Sequence, residues 1–276
     1  MRKFSIDSVS SPIEVIRSAL RHKDLVLALA GRDVAGRYRG SALGNLWSLV
    51  TPIVMLAVYT FVFGVVYQAR WHAGEQSTLE FSVAMFSGLI VHGFFAEVTN
   101  RAPTLVTQNV NFVKKVVFPL EILPWVAVSA AGFHFLVSFG VLLIGTIVLT
   151  GSLHWTLLFA PLVLLPLILV ALGVAWLLAS FGVFLRDLPQ LVPIAVTVLL
   201  FLSPVFYPLS AVHGILRWVV LANPLTLIIE SFRGVVLWGT VPDAVPLLAY
   251  FLIAWLFAWG ALAWFQKTRR GFADVI

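Results

Sequence analysis

From Ile122 to Thr150, and again from Thr156 to Val183, the chain runs without a single Asp, Glu, Lys or Arg. A helix needs about 20 consecutive apolar residues to cross the hydrocarbon core of a bilayer. Inside that core only helices and closed barrels satisfy their own backbone hydrogen bonds, so runs this long dictate membrane helices. The composition agrees: 61% of the 276 residues are apolar and 11% charged, under half of the ~25% charge of a soluble domain. Six spans are expected, at Trp47–Tyr67, Ser82–Thr99, Ile122–Thr150, Thr156–Val183, Leu191–Tyr207 and Pro246–Gln266. The fold class is an all-α integral membrane protein.

The loops set the orientation. With a cytoplasmic N-terminus, fifteen of the 18 Lys and Arg lie in inner segments. Eight precede Trp47; the others are Arg101, Lys114, Lys115, Arg186, Lys267, Arg269 and Arg270. Only Arg70, Arg217 and Arg233 lie outside. Positive charge accumulates on the cytoplasmic side of membrane proteins, so both termini are expected there. The net charge of +6 then reflects topology, and no nucleic-acid partner is implied. With no cysteine, disulfides and thiolate metal sites are excluded. The first 45 or so residues lack the short apolar core and cleavage site of a signal peptide, so this arm is expected to belong to the mature protein.

Two polar segments carry helical periodicity. In the arm, Ile13, Ile16, Leu20 and Leu27 share one side, with Arg17, Arg21 and Lys23 available to lipid head groups, the pattern of a helix lying in the interface. In the inner loop Asn100–Phe118, Leu105, Asn109, Phe112 and Val113 share a face, and Pro103 suits the first turn of a short helix. The segment Pro208–Val245 is too apolar for a solvated loop and is broken by Asn223-Pro224. Two short helices that enter the outer leaflet and return would fit it, a re-entrant hairpin covered by protein or a water-filled cavity. Its second half carries Glu230 and Arg233, spaced to interact on one helix. Pairing would offset the cost of placing either charge in the membrane, so the two are expected to lock the hairpin.

Catalytic signatures are missing. There is no His-Glu-x-x-His zinc motif, no Gly-x-Ser nucleophile setting and no phosphate-cradling Gly-Lys loop. Any ATP-driven activity must use another chain's ATPase. Glu97 and Glu121 lie near the inner ends of their spans, and His92 and His134 are expected to be hydrogen-bonded packing residues. Aromatic residues are abundant, with 22 Phe, 10 Trp and 5 Tyr. On the first span Ser48, Pro52, Met55, Tyr59, Phe63 and Tyr67 fall within about 120° of one face. Phe201, Phe206 and Tyr207 stand at the outer end of the fifth. These rings fit lipid belts and packing, or a path whose flat walls slide along sugar rings. Composition does not choose between the two.

Six motifs in order, Arg32–Ile53, Asn109–Pro124, Phe184–Gln190, Ser203–Pro208, Asn223–Gly234 and Gly271–Ile276, resemble the membrane subunit of type-2 ABC exporters. The branch they resemble exports lipid-linked polysaccharides such as O-antigen, capsule or teichoic acid. The resemblance implies one ABC-2 type transmembrane domain over residues 1–276: a cytoplasmic interface arm (1–46), spans one to five (47–207), a re-entrant outer gate (208–245), span six (246–266) and a cytoplasmic tail (267–276). It also implies a homodimer in the bacterial inner membrane, with two copies of a separate cytoplasmic ATPase that binds ATP and magnesium, so this chain needs no cofactor of its own. O-antigen or capsule is the expected cargo. Arg32, Arg37 and Arg39 would meet the lipid phosphate, for which the planar guanidinium is suited. Leu105, Phe112, Lys114 and Lys115 would couple to the ATPase. Glu230 and Arg233 would form the outer gate, and Tyr59, Phe63, Tyr67, Phe201, Phe206 and Tyr207 the path. The alternatives are a secondary carrier, which needs ionisable groups in mid-membrane, and a membrane enzyme acting on a lipid-linked sugar, for which Glu97 and Glu121 are the candidate acids.

Overall fold

The computed structural model describes residues 11–67, 78–113 and 118–275, and every regular element among these is helical. The arm forms α1 (Glu14–Arg21) and α2 (Lys23–Arg37). The first span is α3 (Trp47–Tyr59), prolonged by a π-helical stretch, Thr60–Val66. After it come α4 (Thr78–Arg101), the single turn α5 (Val110–Val113), α6 (Leu123–Thr150), α7 (Ala160–Phe184) and α8 (Leu188–Phe201). The chain ends with α9 (Gly214–Ala222), α10 (Thr226–Arg233), α11 (Ala244–Thr268) and the short α12 (Phe272–Val275). Five helical stretches are long and apolar enough to cross a membrane, and α9 with α10 makes a sixth if the bent pair is counted as one span.

Lipid tails are as apolar as leucine, so membrane helices associate through close packing of small residues and through hydrogen bonds. The pair α7–α11 is the most extensive in the molecule. Ala171, Ala175 and Ala179 recur one turn apart on α7, and Ala254, Ala258 and Ala261 line α11; all six are buried. Gly182 serves a second approach: a Cβ there would collide with the carbonyl of Pro103 in the turn that follows α4. The middle of the bundle is α4, whose apolar stretch is 78% buried, whereas that of α3 is 11% buried.

The arm departs from a single amphipathic helix. It breaks at His22, whose backbone leaves helical geometry at φ −122° while its ring bonds the Ser18 carbonyl at 3.1 Å. The apolar stripe survives the break. Ile13, Ile16, Leu20 and Leu27 are exposed, and on the other side Val26 and Ala30 pack on Ile122 and Val126 of the α6 entrance.

The fifth span also differs from expectation. Its α-helix stops at Phe201, well before Tyr207, because Pro204 brings no N–H and Ser203 turns its hydroxyl onto the Leu199 carbonyl at 2.7 Å. Fourteen residues reach roughly 21 Å, short of the ~30 Å of a bilayer core. The bent pair meets it there. α9 and α10 form an 87° corner at Asn223-Pro224. The Asn223 amide bonds the Leu199 carbonyl at 3.2 Å and the Ser203 hydroxyl at 2.9 Å, while its oxygen takes the Leu225 N–H at 2.9 Å. Tyr250 of α11 fixes the Pro224 carbonyl at 2.5 Å. The corner is thus bolted to the truncated end of α8.

Candidate functional site

At one end of the bundle, two helices present charge in matching order. Asp33 and Arg37 stand one turn apart on α2, as do Glu97 and Arg101 on α4. Arg37 donates to Glu97 at 2.5 Å, and Arg101 meets Asp33 at 2.5 Å. Pairing 33 with 101 and 37 with 97 is the register of antiparallel neighbours. Glu97 has a second partner: His134 Nδ1 of α6 lies 3.0 and 3.1 Å from its two carboxylate oxygens. The ring of Tyr38 meets that of His134 edge-on at 6.0 Å. Burial raises the Tyr38 pKa, opposed by Arg37 and reinforced by Glu97, so its phenol stays a neutral donor. Arg32 and Arg39, the other two candidate phosphate contacts, are exposed.

Above this ladder a cleft of about 350 Å³ opens between α3, α4 and α6. Glu97 and His134 line it together with Tyr59, Phe94 and Phe135, and Met55 and Thr51 lie at its exposed margin. The aromatic face of α3 is therefore divided. Tyr59 turns into the chain's own cleft, and Phe63 stacks on Phe81 at 5.6 Å. Tyr67, 71% exposed, stacks on Phe63 at 5.8 Å. The π-helical stretch, with its i→i+5 bonding, ends at Tyr67, whose N–H bonds the Val62 carbonyl at 2.9 Å. At the end of α8, Phe201 is exposed and stacks on Phe206 at 5.7 Å, and Tyr207 donates to the Phe201 carbonyl at 3.0 Å. Among the described residues, no ring contact joins the α3 group to the α8 group within one chain.

Towards the opposite end of α4, the structure brings Glu230 and Arg233 together at 2.7 Å. Sequence reasoning missed the rest of the arrangement. Arg233 is fully buried; its Nε donates to the Ala84 carbonyl of α4 and its Nη2 to the Pro204 carbonyl, both at 3.0 Å. One guanidinium thus ties α10 to α4 and to the end of α8. Gly88 makes room, since a Cβ there would stand 3.0 Å from Arg233 Nη2. The face of Trp238 lies 5.9 Å from the guanidinium carbon.

The inner loop is less regular than the expected amphipathic helix. It consists of two 3₁₀ turns, Ala102–Thr104 and Thr107–Asn109, followed by α5. Leu105 corrects the sequence reading: it is 7% exposed and packs in the main core, so it presents no apolar knob. The turns rotate it inward and leave Gln108 and Asn111 exposed. Phe112 is half-buried and stacks on Phe118 at 4.2 Å. Lys114 and Lys115 lie outside the described residues. The two acids an interfacial enzyme would bring together are each held by their own cation: Glu97 as above, and Glu121 by Arg269 at 2.8 Å. His92 bonds the Val196 carbonyl of α8 at 3.2 Å.

Residues 24–237 match the protein family described as ABC-2 type transporter. Among curated proteins the chain is similar to the O-antigen export system permease protein RfbA of Myxococcus xanthus, with 29% identity over 266 residues, 96% of this chain and all of the relative. Two proteins of the same name from Klebsiella pneumoniae are 27% and 25% identical over 255 residues, covering 92% of this chain and 95% of each relative.

Proposed function

The chain belongs to the ABC-2 type transporter family, and from that premise we propose that it exports a lipid-linked O-antigen polysaccharide from the cytoplasmic to the periplasmic face of the bacterial inner membrane. The observation that carries this reading is the end-to-end similarity to O-antigen export permeases, over 96% of the chain in one case. Capsular polysaccharide has the same chemistry but no such relative in its favour. The working unit is a homodimer with two copies of a separate ATPase on the cytoplasmic side, which binds ATP and magnesium. Both termini face the cytoplasm.

The geometry supports this assignment in three places. The first span is the least covered of the five long apolar helices, and exposed Tyr67 at its end and exposed Phe201 at the end of α8 would be brought around a shared path by a second copy. Arg37 in the ion-pair ladder, with Arg32 and Arg39 exposed beside it, supports a contact to the lipid phosphate. The hairpin closes the outer side, held by Arg233, and Phe112 with Gln108 and Asn111 forms the surface offered to the ATPase.

The test is reconstitution. Purified alone, the chain should neither bind nor hydrolyse ATP. Co-expressed with its ATPase and placed in vesicles, it should move a lipid-linked glycan in an ATP-dependent manner. ATP hydrolysis by the chain free of any second protein, or glycan transfer that ignores ATP, would overturn the reading.

A further inference from the structure

Arg37 is not waiting free for a phosphate: it is already bound to a carboxylate. The Glu97 side chain meets it at 2.5 Å, supplying one anionic oxygen where a lipid head group would supply several. We propose that Glu97 holds the place of the lipid phosphate on Arg37, and that exchange of carboxylate for phosphate reports an arriving head group to the loop that meets the ATPase. The inference rests on the exporter reading and deepens it, making Glu97 and His134 positioning residues of the head-group site.

Three observations carry it. First, the exchange leaves Glu97 with a hydrogen-bond partner. When Arg37 leaves, Glu97 keeps His134 Nδ1 at 3.0 and 3.1 Å on its two oxygens, so a carboxylate that is mostly buried still has a partner. Second, the exchange runs towards the stronger acceptor. A lipid pyrophosphate presents several anionic oxygens and can take two parallel bonds from a guanidinium, whereas Glu97 takes one. The Arg37–Glu97 pair is also partly exposed, at 39% and 17%, which keeps it weak enough to yield.

Third, the ladder leads to the loop. Arg101, the other cation of the ladder, is the last residue of α4. The chain passes from it straight into the Ala102–Thr104 turn, seated against Gly182, and on to Phe112. Releasing Arg37 removes one of the two ion pairs that join α2 to α4 among the described residues. Asp33–Arg101 remains as the single tie, and α2 can pivot on its Val26–Ala30 contact with α6. A head group bound on the arm thus changes what restrains the coupling end of α4.

The experiment uses the complete complex in nanodiscs and measures ATPase rate against added long-chain polyprenyl pyrophosphate, with phosphatidylglycerol at equal charge as the comparison. Glu97→Gln removes the competitor. It should raise the basal rate and lower the half-maximal concentration of the polyprenyl lipid about 1.5- to five-fold, the range expected for an ion pair of this exposure. The double swap Arg37→Glu with Glu97→Arg rebuilds the clip but moves the guanidinium off the arm, so it should restore the low basal rate and lose the lipid response. Equal stimulation by phosphatidylglycerol would assign the site to bulk anionic lipid and overturn substrate reporting. A Glu97→Gln complex with wild-type basal rate and wild-type half-maximal concentration, in a preparation that still exports glycan, would overturn the exchange while leaving the exporter reading intact. Failure of wild-type complex to export would strike that reading instead.

Discussion

Arg37 and Arg233 are both arginines paired with a glutamate, at opposite ends of the same helix α4, yet they are built for opposite purposes. Arg233 is fully buried and bonds two backbone carbonyls besides Glu230. Arg37 is 39% exposed and holds a carboxylate that has another partner in reserve. A carbonyl of a helix or a proline turn cannot move away without the backbone moving, so the outer arginine acts as a rivet. The inner one can change partners. Burial and the nature of the acceptor, rather than the residue pair itself, decide between fastening and switching.

The comparison breaks most visibly at the rivet. Arg233→Gln should leave buried carbonyls and Glu230 without their cation, a loss of about 3–5 kcal/mol, read as a fall in thermal unfolding temperature and in yield of the purified membrane subunit. The charge-swapped pair Glu230→Arg with Arg233→Glu should give no rescue, because a carboxylate at 233 would face the oxygens of Ala84 and Pro204. Recovery in that double variant would show that the ion pair alone holds the hairpin. A smaller effect is expected where the inner half is seated: Gly182→Ala forces a methyl into the Pro103 carbonyl, costing about 1–3 kcal/mol. It should uncouple ATP hydrolysis from export, with the ratio of the two as the readout.

Phe112→Ala removes a stack worth about 0.5–1.5 kcal/mol. It should lower co-purification of the ATPase while membrane insertion stays normal; wild-type complex yield would take Phe112 out of the docking surface. The smallest stability change belongs to Arg37→Lys, within about 1 kcal/mol because the pair is partly exposed. Its export rate should nonetheless drop, since the ammonium lacks the planar fork. That split, an almost unchanged melting temperature with impaired export, is what separates the switch from the rivet.

Much of this architecture is legible in the residues. Long uncharged runs announce α6 and α7, and Asn223-Pro224 marks the corner between α9 and α10. The pairing of Glu230 with Arg233 follows from their spacing. What escapes the sequence is whatever depends on backbone atoms or on distant partners. The acceptors of Arg233 are main-chain oxygens, which carry no signature of residue type. Arg37 and Glu97 stand 60 residues apart with the whole of α3 between them, and no periodicity links them. Leu105 misleads because its face was counted along one continuous helix, whereas 3₁₀ turns rotate it inward.

The brevity of α8 has a bearing on the polymer. On the proposed reading, in which α8 borders the path, the wall that a glycan slides past is set by fourteen residues and the bent α9–α10 pair bolted to its tip. Only as many sugar rings as fit that wall are stripped of bulk water at one moment. Rings leaving at the top are rehydrated as others enter below, so the work of each advance is the same for the first repeat unit and the last. A conduit with so short a dry passage is indifferent to the length of its cargo.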